Sequence, residues 1–272
     1  MKRYRHYKKD KAIVLSVFGS VIEQDKYEKL KAHIASVFEG VDLFLAIGSR
    51  MVLKALLKEG ITCKTLAQTL ADVDMLGYKN VIVASINLFP TCEHELVHKT
   101  VEGFKKFSPA QFRTTPAIFS KAKETTLFLK SLDEALYKED TANLYIIHGS
   151  PKLELGGLES ISYSAKFLEQ KRPNNYTCSL EGMFPFAAIH EELIAKMKQN
   201  GVLKVQIIPL LLVSGNHYIN DMAEIQEHLS EHFETSLAPS LNHDEKFNLL
   251  GLSQTLDIIE NHIKEEMIKI GH

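Results

Sequence analysis

Apolar positions along the chain fall into two alternating patterns. Short runs rich in Ile, Val and Leu, of strand length, alternate with longer stretches in which apolar residues recur at helical spacing. A strand covered on both faces reads as a continuous apolar run, so this alternation predicts a parallel α/β fold. Residues 12–18 (AIVLSVF) predict a first strand, ended by Gly19-Ser20, and residues 24–38 an amphipathic helix. A second strand is expected over 41–46, a helix over 49–58 before a loop near Gly60, and another helix over 65–76 stopped at Gly77. Residues 81–86 (VIVASI) form the next buried strand. In the second half, 143–150 (NLYIIHGS) read as strand then turn, 177–181 as a short strand and 205–213 as a long one. Helices are expected over 160–170, 187–200, 221–232 and 253–269.

The two halves echo each other. The first strand ends in Phe18-Gly19-Ser20 and its counterpart in His148-Gly149-Ser150. Later in each half a helix stops at a glycine, and a short turn leads into a buried strand: Gly77 before Val81, Gly201 before Val205. A recurrence of this kind predicts a duplicated unit. At 272 residues the chain also exceeds the usual single-domain size of about 100–150. The expected architecture is two similar α/β lobes, 1–135 and 136–272, each a parallel sheet flanked by helices. The chain would pass between them near 130–142, the last helix would pack back on the first lobe, and a cleft would lie between the lobes.

Composition narrows the function classes. A 45% hydrophobic and 24% charged chain has a full core, which excludes disorder as the default. Lys plus Arg number 32 against 34 Asp plus Glu, so no basic surplus argues for nucleic acid. Cys63, Cys92 and Cys178 stand far apart with no CxxC pair, which argues against a disulfide framework or a thiolate zinc site and fits a reducing, cytoplasmic setting. The basic start followed by apolar residues 12–22 mimics an export signal. Gly19 interrupts that run and Glu23 follows with no small-residue cleavage site, so a buried first strand explains it more simply. No stretch reaches the roughly 18 apolar residues that cross a bilayer, and no membrane partner is expected.

In an open parallel sheet, ligands bind beyond the carboxyl ends of the strands, so polar residues just after each apolar run carry the information. His148, Glu181 and His217 follow strands of the second half, and Asn87 and Glu93 follow residues 81–86 in the first. Two imidazoles and a carboxylate are a common binding set for divalent transition metals. Each residue also has a bland reading. Most of the 12 histidines are solvated or satisfied in the fold, Glu181 could cap the turn before 187–200, and Glu93 could complement a helix dipole. No GxGxxG follows the first strand and no GxxxxGK[ST] occurs, which removes the usual dinucleotide and ATP hypotheses. His94-Glu95-Leu96-Val97-His98 does fit HExxH on a helix beginning after Pro90-Thr91. It lacks a clear third ligand downstream, so a structural role is favoured over a zinc hydrolase.

Residues 208–222 (IPLLLVSGNHYINDM) resemble the signature of the anaerobic sirohydrochlorin cobaltochelatases, where a strand ending Pro-Leu-x-Leu-Val-x-Gly meets His-x-Ile-Asn-Asp-Met. The resemblance extends over nearly the whole chain through residues 16–20 (SVFGS), 49–51 (SRM), 77–80 (GYKN), His148-Gly149 and Glu181. It implies a two-lobe chelatase fold with flavodoxin-like halves, similar to protoporphyrin ferrochelatase, and ATP-independent insertion of Co²⁺ into sirohydrochlorin during anaerobic cobalamin synthesis. By position it implies a metal site of His148, Glu181 and His217, with His148 facing His217. Catalytic roles fall to His148, Glu181 and Glu93, and substrate contacts to Asn87, Ser20 and Ser49. The metal is a substrate rather than a tightly bound cofactor, with Fe²⁺ or Ni²⁺ as alternatives to cobalt. The partner is a tetrapyrrole, and a homo-oligomer is compatible.

Two departures matter. The family's first-lobe strand usually ends in His, where this chain has Asn87, an amide that hydrogen-bonds but binds metal poorly. Ile147 precedes His148 where glycine is common. These changes keep open a haem- or tetrapyrrole-binding protein without turnover. Arg50, Lys54 and Lys152 are candidates to meet a polycarboxylate ring, with solvated surface charge the favoured reading.

Overall fold

The computed structural model describes residues 5–154, 156–242 and 244–270, with the side chains of 216–218 outside the described set. The chain divides into two compact units. One comprises the chain up to Ile118 together with the segment from Ser253 onward, and the other runs from Phe119 to Leu252.

The first unit is built on β1 (Lys9–Val17), β2 (Asp42–Ile47), β3 (Tyr78–Ile86) and β4 (Gln111–Thr114), all parallel in the order β2-β1-β3-β4. Its helices are α1 (Gln24–Val37), α2 (Arg50–Lys58), α3 (Leu66–Leu76), α4 (Cys92–Lys105) and the C-terminal α9 (Ser253–Ile270). The central strand β1 is covered on both faces, which is why Ala12, Ile13, Val14 and Leu15 are all fully buried and read as an unbroken apolar run. Ala12 and Val14 pack with Leu66, Leu70 and Val73 of α3 and Val97 and Val101 of α4. Helix α9 packs on β3 and β4 and against α1, burying Ile259 and Ile263. Helix α3 shows how local sequence sets an element. Thr65 accepts from the Gln68 amide, Gln68 Oε1 accepts from the Thr65 amide, and Gly77 ends the helix at φ +78°.

The second unit repeats the plan with β5 (Ala142–Gly149), β6 (Asn175–Glu181), β7 (Lys204–Leu210) and β8 (Glu234–Leu237), parallel in the order β6-β5-β7-β8. Helices α5 (Ala122–Leu136), α6 (Leu158–Lys171), α7 (Phe186–Gln199) and α8 (Asn216–Ser230) complete it. The two strand orders are the same when the second set is counted from β5, and the helix-ending glycines Gly77 and Gly201 share the left-handed conformation, so the repeat seen in the sequence is structural. Among the described residues no helix is long and apolar enough to cross a membrane.

Several boundaries differ from expectation. The unit division falls at 118/119 rather than 135/136, because α5 packs on α6 and belongs wholly to the second unit. Strand β7 ends at Leu210, not 213. The apolar residues 211–212 leave the sheet to accept backbone bonds from Leu249 (3.1 Å) and Leu250 (2.9 Å), which explains a run longer than the strand. Helix α8 starts at Asn216 rather than 221, and β4, α5 and β8 were not anticipated.

Candidate functional site

Three neighbouring strands of the second unit, β6, β5 and β7, lead at their carboxyl ends to Glu181, His148 and His217. His148 is the penultimate residue of β5 and Glu181 the last of β6. Their side chains meet at 3.7 Å between His148 Nδ1 and Glu181 Oε1, with 39% and 43% of each side chain exposed. That spacing is too long for a direct hydrogen bond. It is close to the roughly 3.0–3.4 Å that separates two donors each bound at about 2.1 Å to one ion. With so much of each side chain open, both remain reachable by a ligand from solvent.

The approach is set by backbone. Gly149 pairs with Glu181 in the parallel ladder and has φ +86°; a Cβ there would lie 1.9 Å from the Glu181 carbonyl oxygen. Gly182, at φ +80°, would bring a Cβ within 1.8 Å of the Ser150 carbonyl oxygen. Only residues without a side chain allow the two strand ends to lie this close, and only glycine takes the left-handed conformation freely. Ser179 then staples the turn after Glu181: its hydroxyl lies 2.9 Å from the Glu181 carbonyl and 2.6 Å from that of Met183, and its amide donates to the Phe184 carbonyl. Phe184 closes this turn at φ +49° with 65% of the residue exposed, a costly conformation for an aromatic residue that holds a large apolar side chain at the rim.

His217 is the second residue of α8, and its side chain lies outside the described residues. The segment leading to it is firmly held. Ser214 Oγ donates to the Phe247 carbonyl at 2.6 Å, alongside the two backbone bonds from Leu249 and Leu250.

In the first unit, Ser20, Ser49, Asn87 and Glu93 likewise follow the ends of adjacent strands β1, β2 and β3. Ser20 and Ser49 are buried, and each accepts a bond from its own turn: Ser20 Oγ from the Glu23 amide at 3.1 Å, Ser49 Oγ from the Val52 amide at 3.3 Å as the N-cap of α2. Glu93 sits in the first turn of α4, where Oε2 accepts from Thr91 Oγ1 at 3.0 Å and Cys92 Sγ at 3.1 Å. Burial and this carboxylate push the Cys92 thiol up to about 11. Arg50, Lys54 and Lys152 are exposed.

The HExxH pair does not form a zinc site on its own. His94 Nδ1 is engaged by Ser85 Oγ at 2.8 Å, and the His94 and His98 rings meet edge to face with centroids 4.5 Å apart. Among the described residues no group of three or more His, Cys, Asp or Glu side chains is placed to hold a metal ion; at the second-unit rim the described side chains supply two, His148 and Glu181. Sequence reasoning missed Ser85, Ser179 and Gly182. Only Gly182, directly after a strand-end acid, had a readable signal.

The duplicated parallel α/β plan is shared with solved chelatases. SirB from Bacillus subtilis, solved with Fe³⁺, superposes with a TM-score of 0.66 at 13% identity, covering 94% of this chain and 95% of that one. CbiX, the terminal enzyme for siroheme biosynthesis in denitrifying bacteria, gives 0.53 at 13% identity over 94% and 99%. At these identities the likeness shows the fold. Residues 11–266 match the family model described as cobalt chelatase (CbiK), and the chain belongs to that family. The sirohydrochlorin cobaltochelatase of Salmonella typhimurium is 23% identical over 219 residues, 78% of this chain and 80% of the relative.

Proposed function

We propose that this chain is a sirohydrochlorin cobaltochelatase, inserting Co²⁺ without ATP in anaerobic cobalamin synthesis. The observation that carries the reading is the His148–Glu181 pair, 3.7 Å apart at the ends of adjacent strands and open to solvent. A chelatase must strip a cation of part of its water and accept two pyrrole N–H protons. Imidazole serves both tasks near neutral pH. His148, Glu181 and His217 hold the incoming ion, and His148 also takes a pyrrole proton. Glu93 assists proton removal, and Asn87, Ser20 and Ser49 meet the ring. The ion is a substrate and leaves with the product. Since imidazole and carboxylate also serve Fe²⁺ and Ni²⁺, the metal preference is the finer part of the reading. The setting is cytoplasmic, as the isolated cysteines suggest, and a homo-oligomer is compatible.

The test follows the absorption of sirohydrochlorin on adding Co²⁺, Fe²⁺ or Ni²⁺. The protein should accelerate insertion above the metal-only control, fastest with Co²⁺. His148→Ala should lower the rate about 100-fold or more while leaving far-UV circular dichroism unchanged. No acceleration with any of the three ions overturns the enzyme reading.

A further inference from the structure

The end of β3 carries a hydrogen-bond chain whose direction can be worked out. Asn87 Nδ2 donates to Ser85 Oγ at 2.8 Å, and Ser85 Oγ lies 2.8 Å from His94 Nδ1. A serine hydroxyl has one proton to give. Ser85 is buried and its hydroxyl has no other acceptor among the described residues, so its one proton goes toward His94, which makes Nδ1 the bare nitrogen and puts the imidazole hydrogen on Nε2. Burial, reinforced by His98, lowers the His94 pKa to about 4, so the ring is neutral at pH 7 and able to accept. The frame around the chain is fixed as well. The Ser85 amide donates to Thr115 Oγ1 at 2.9 Å, and the Asn87 carbonyl accepts from the Ile118 amide at 2.9 Å.

With Nδ2 committed inward, the side-chain atom left to act is Oδ1. It has no hydrogen-bond partner among the described residues, and Asn87 is only half-buried at the carboxyl end of a central strand. We propose that Ser85 and His94 are positioning residues that lock the Asn87 amide, so that Oδ1 is presented as a hydrogen-bond acceptor for an inner N–H of the unmetallated tetrapyrrole. This rests on the chelatase reading and deepens it. A free-base ring carries two inner N–H groups and the metallated product none, so an acceptor held here recognises substrate and loses its partner once the metal is in. An amide that could flip would offer Nδ2 as often as Oδ1 and discriminate nothing. The chain also accounts for the first histidine of the HExxH sequence: it is the terminal acceptor behind Asn87.

Two measurements test this. In the full-length protein with ¹⁵N-labelled histidine, His94 should show the Nε2–H tautomer at pH 7. Asn87→Asp removes the amide donor, so Ser85 should turn its proton to the carboxylate and His94 should switch to Nδ1–H. An Nδ1–H tautomer in the unaltered protein, or no switch in the variant, overturns the proposal. In kinetics, Ser85→Ala should raise KM for sirohydrochlorin about tenfold and leave the inhibition constant of the metallated product unchanged, while Ser85→Thr, which keeps the hydroxyl, restores KM to within about twofold. An unchanged KM in Ser85→Ala, or an equal loss of product affinity, counts against it. If the unaltered protein accelerates no insertion, the chelatase reading has failed, and the tautomer still reports the direction of the chain.

Discussion

An alanine at Gly182 would place its methyl 1.8 Å from the Ser150 carbonyl oxygen while also having to adopt φ +80°. Neither strain is relieved by rotating a side chain, because both partners are backbone. Gly182→Ala should therefore cost about 2 kcal/mol or more in urea unfolding, and should weaken Co²⁺ binding by moving Glu181 away from His148. His94 makes a different kind of prediction. Burial first, and His98 second, lower its pKa from the ordinary 6.5 to about 4. The unfolded chain takes up a proton near 6.5 that the folded chain refuses until about 4, so stability is lost as pH falls through that window. In His94→Gln the decline in urea midpoint between those values should be shallower. The residue types of the site were legible from the sequence, because polar residues closing apolar runs stand out. Their mutual distances were not. The 3.7 Å between His148 and Glu181 depends on the ladder that sets Gly149 against Glu181.

Elements divide by how their burial is achieved. Strands β1, β3, β5 and β7 lie inside their sheets, so nearly every position is buried and the apolar run is visible. Strands β4 (QFRT) and β8 (ETSL) are four-residue edge strands with half their positions open, and neither shows an apolar run. They pair because the neighbouring strand offers an unfilled ladder, not because of their own pattern. Helix α5 is tied to the sheet by Asp133, wholly buried, which accepts from Tyr145 Oη (3.0 Å), Asn175 Nδ2 (2.6 Å) and Arg172 Nε (2.7 Å). Burial and this carboxylate keep the Tyr145 phenol protonated, well above its usual range. Asp133→Ala would leave these donors without their shared acceptor and should destabilise the protein by about 3 kcal/mol in denaturant unfolding.

For the whole molecule, the decisive feature is that the first unit is assembled from segments distant in sequence, whereas the second is one continuous stretch. Helix α9 completes the first unit from the far end of the chain, burying Ile259, Ile263 and Ile270, and Glu260 accepts from His33 of α1 at 2.7 Å. Deleting residues 253–272 should raise hydrogen exchange in β3 and β4 while residues 119–252 keep their protection; equal loss in both units would contradict the division. By itself the sequence determined the parallel α/β plan, the duplication, the central strands and the family, because hydrophobic periodicity and motif order are local properties of the chain. Only the tertiary structure decided the edge strands, the placing of α5, the backbone interlock at Gly149 and Gly182, and the Asn87–Ser85–His94 chain. Each of these depends on strand register or on how a helix lies against a sheet, and neither is written in the period of any single segment.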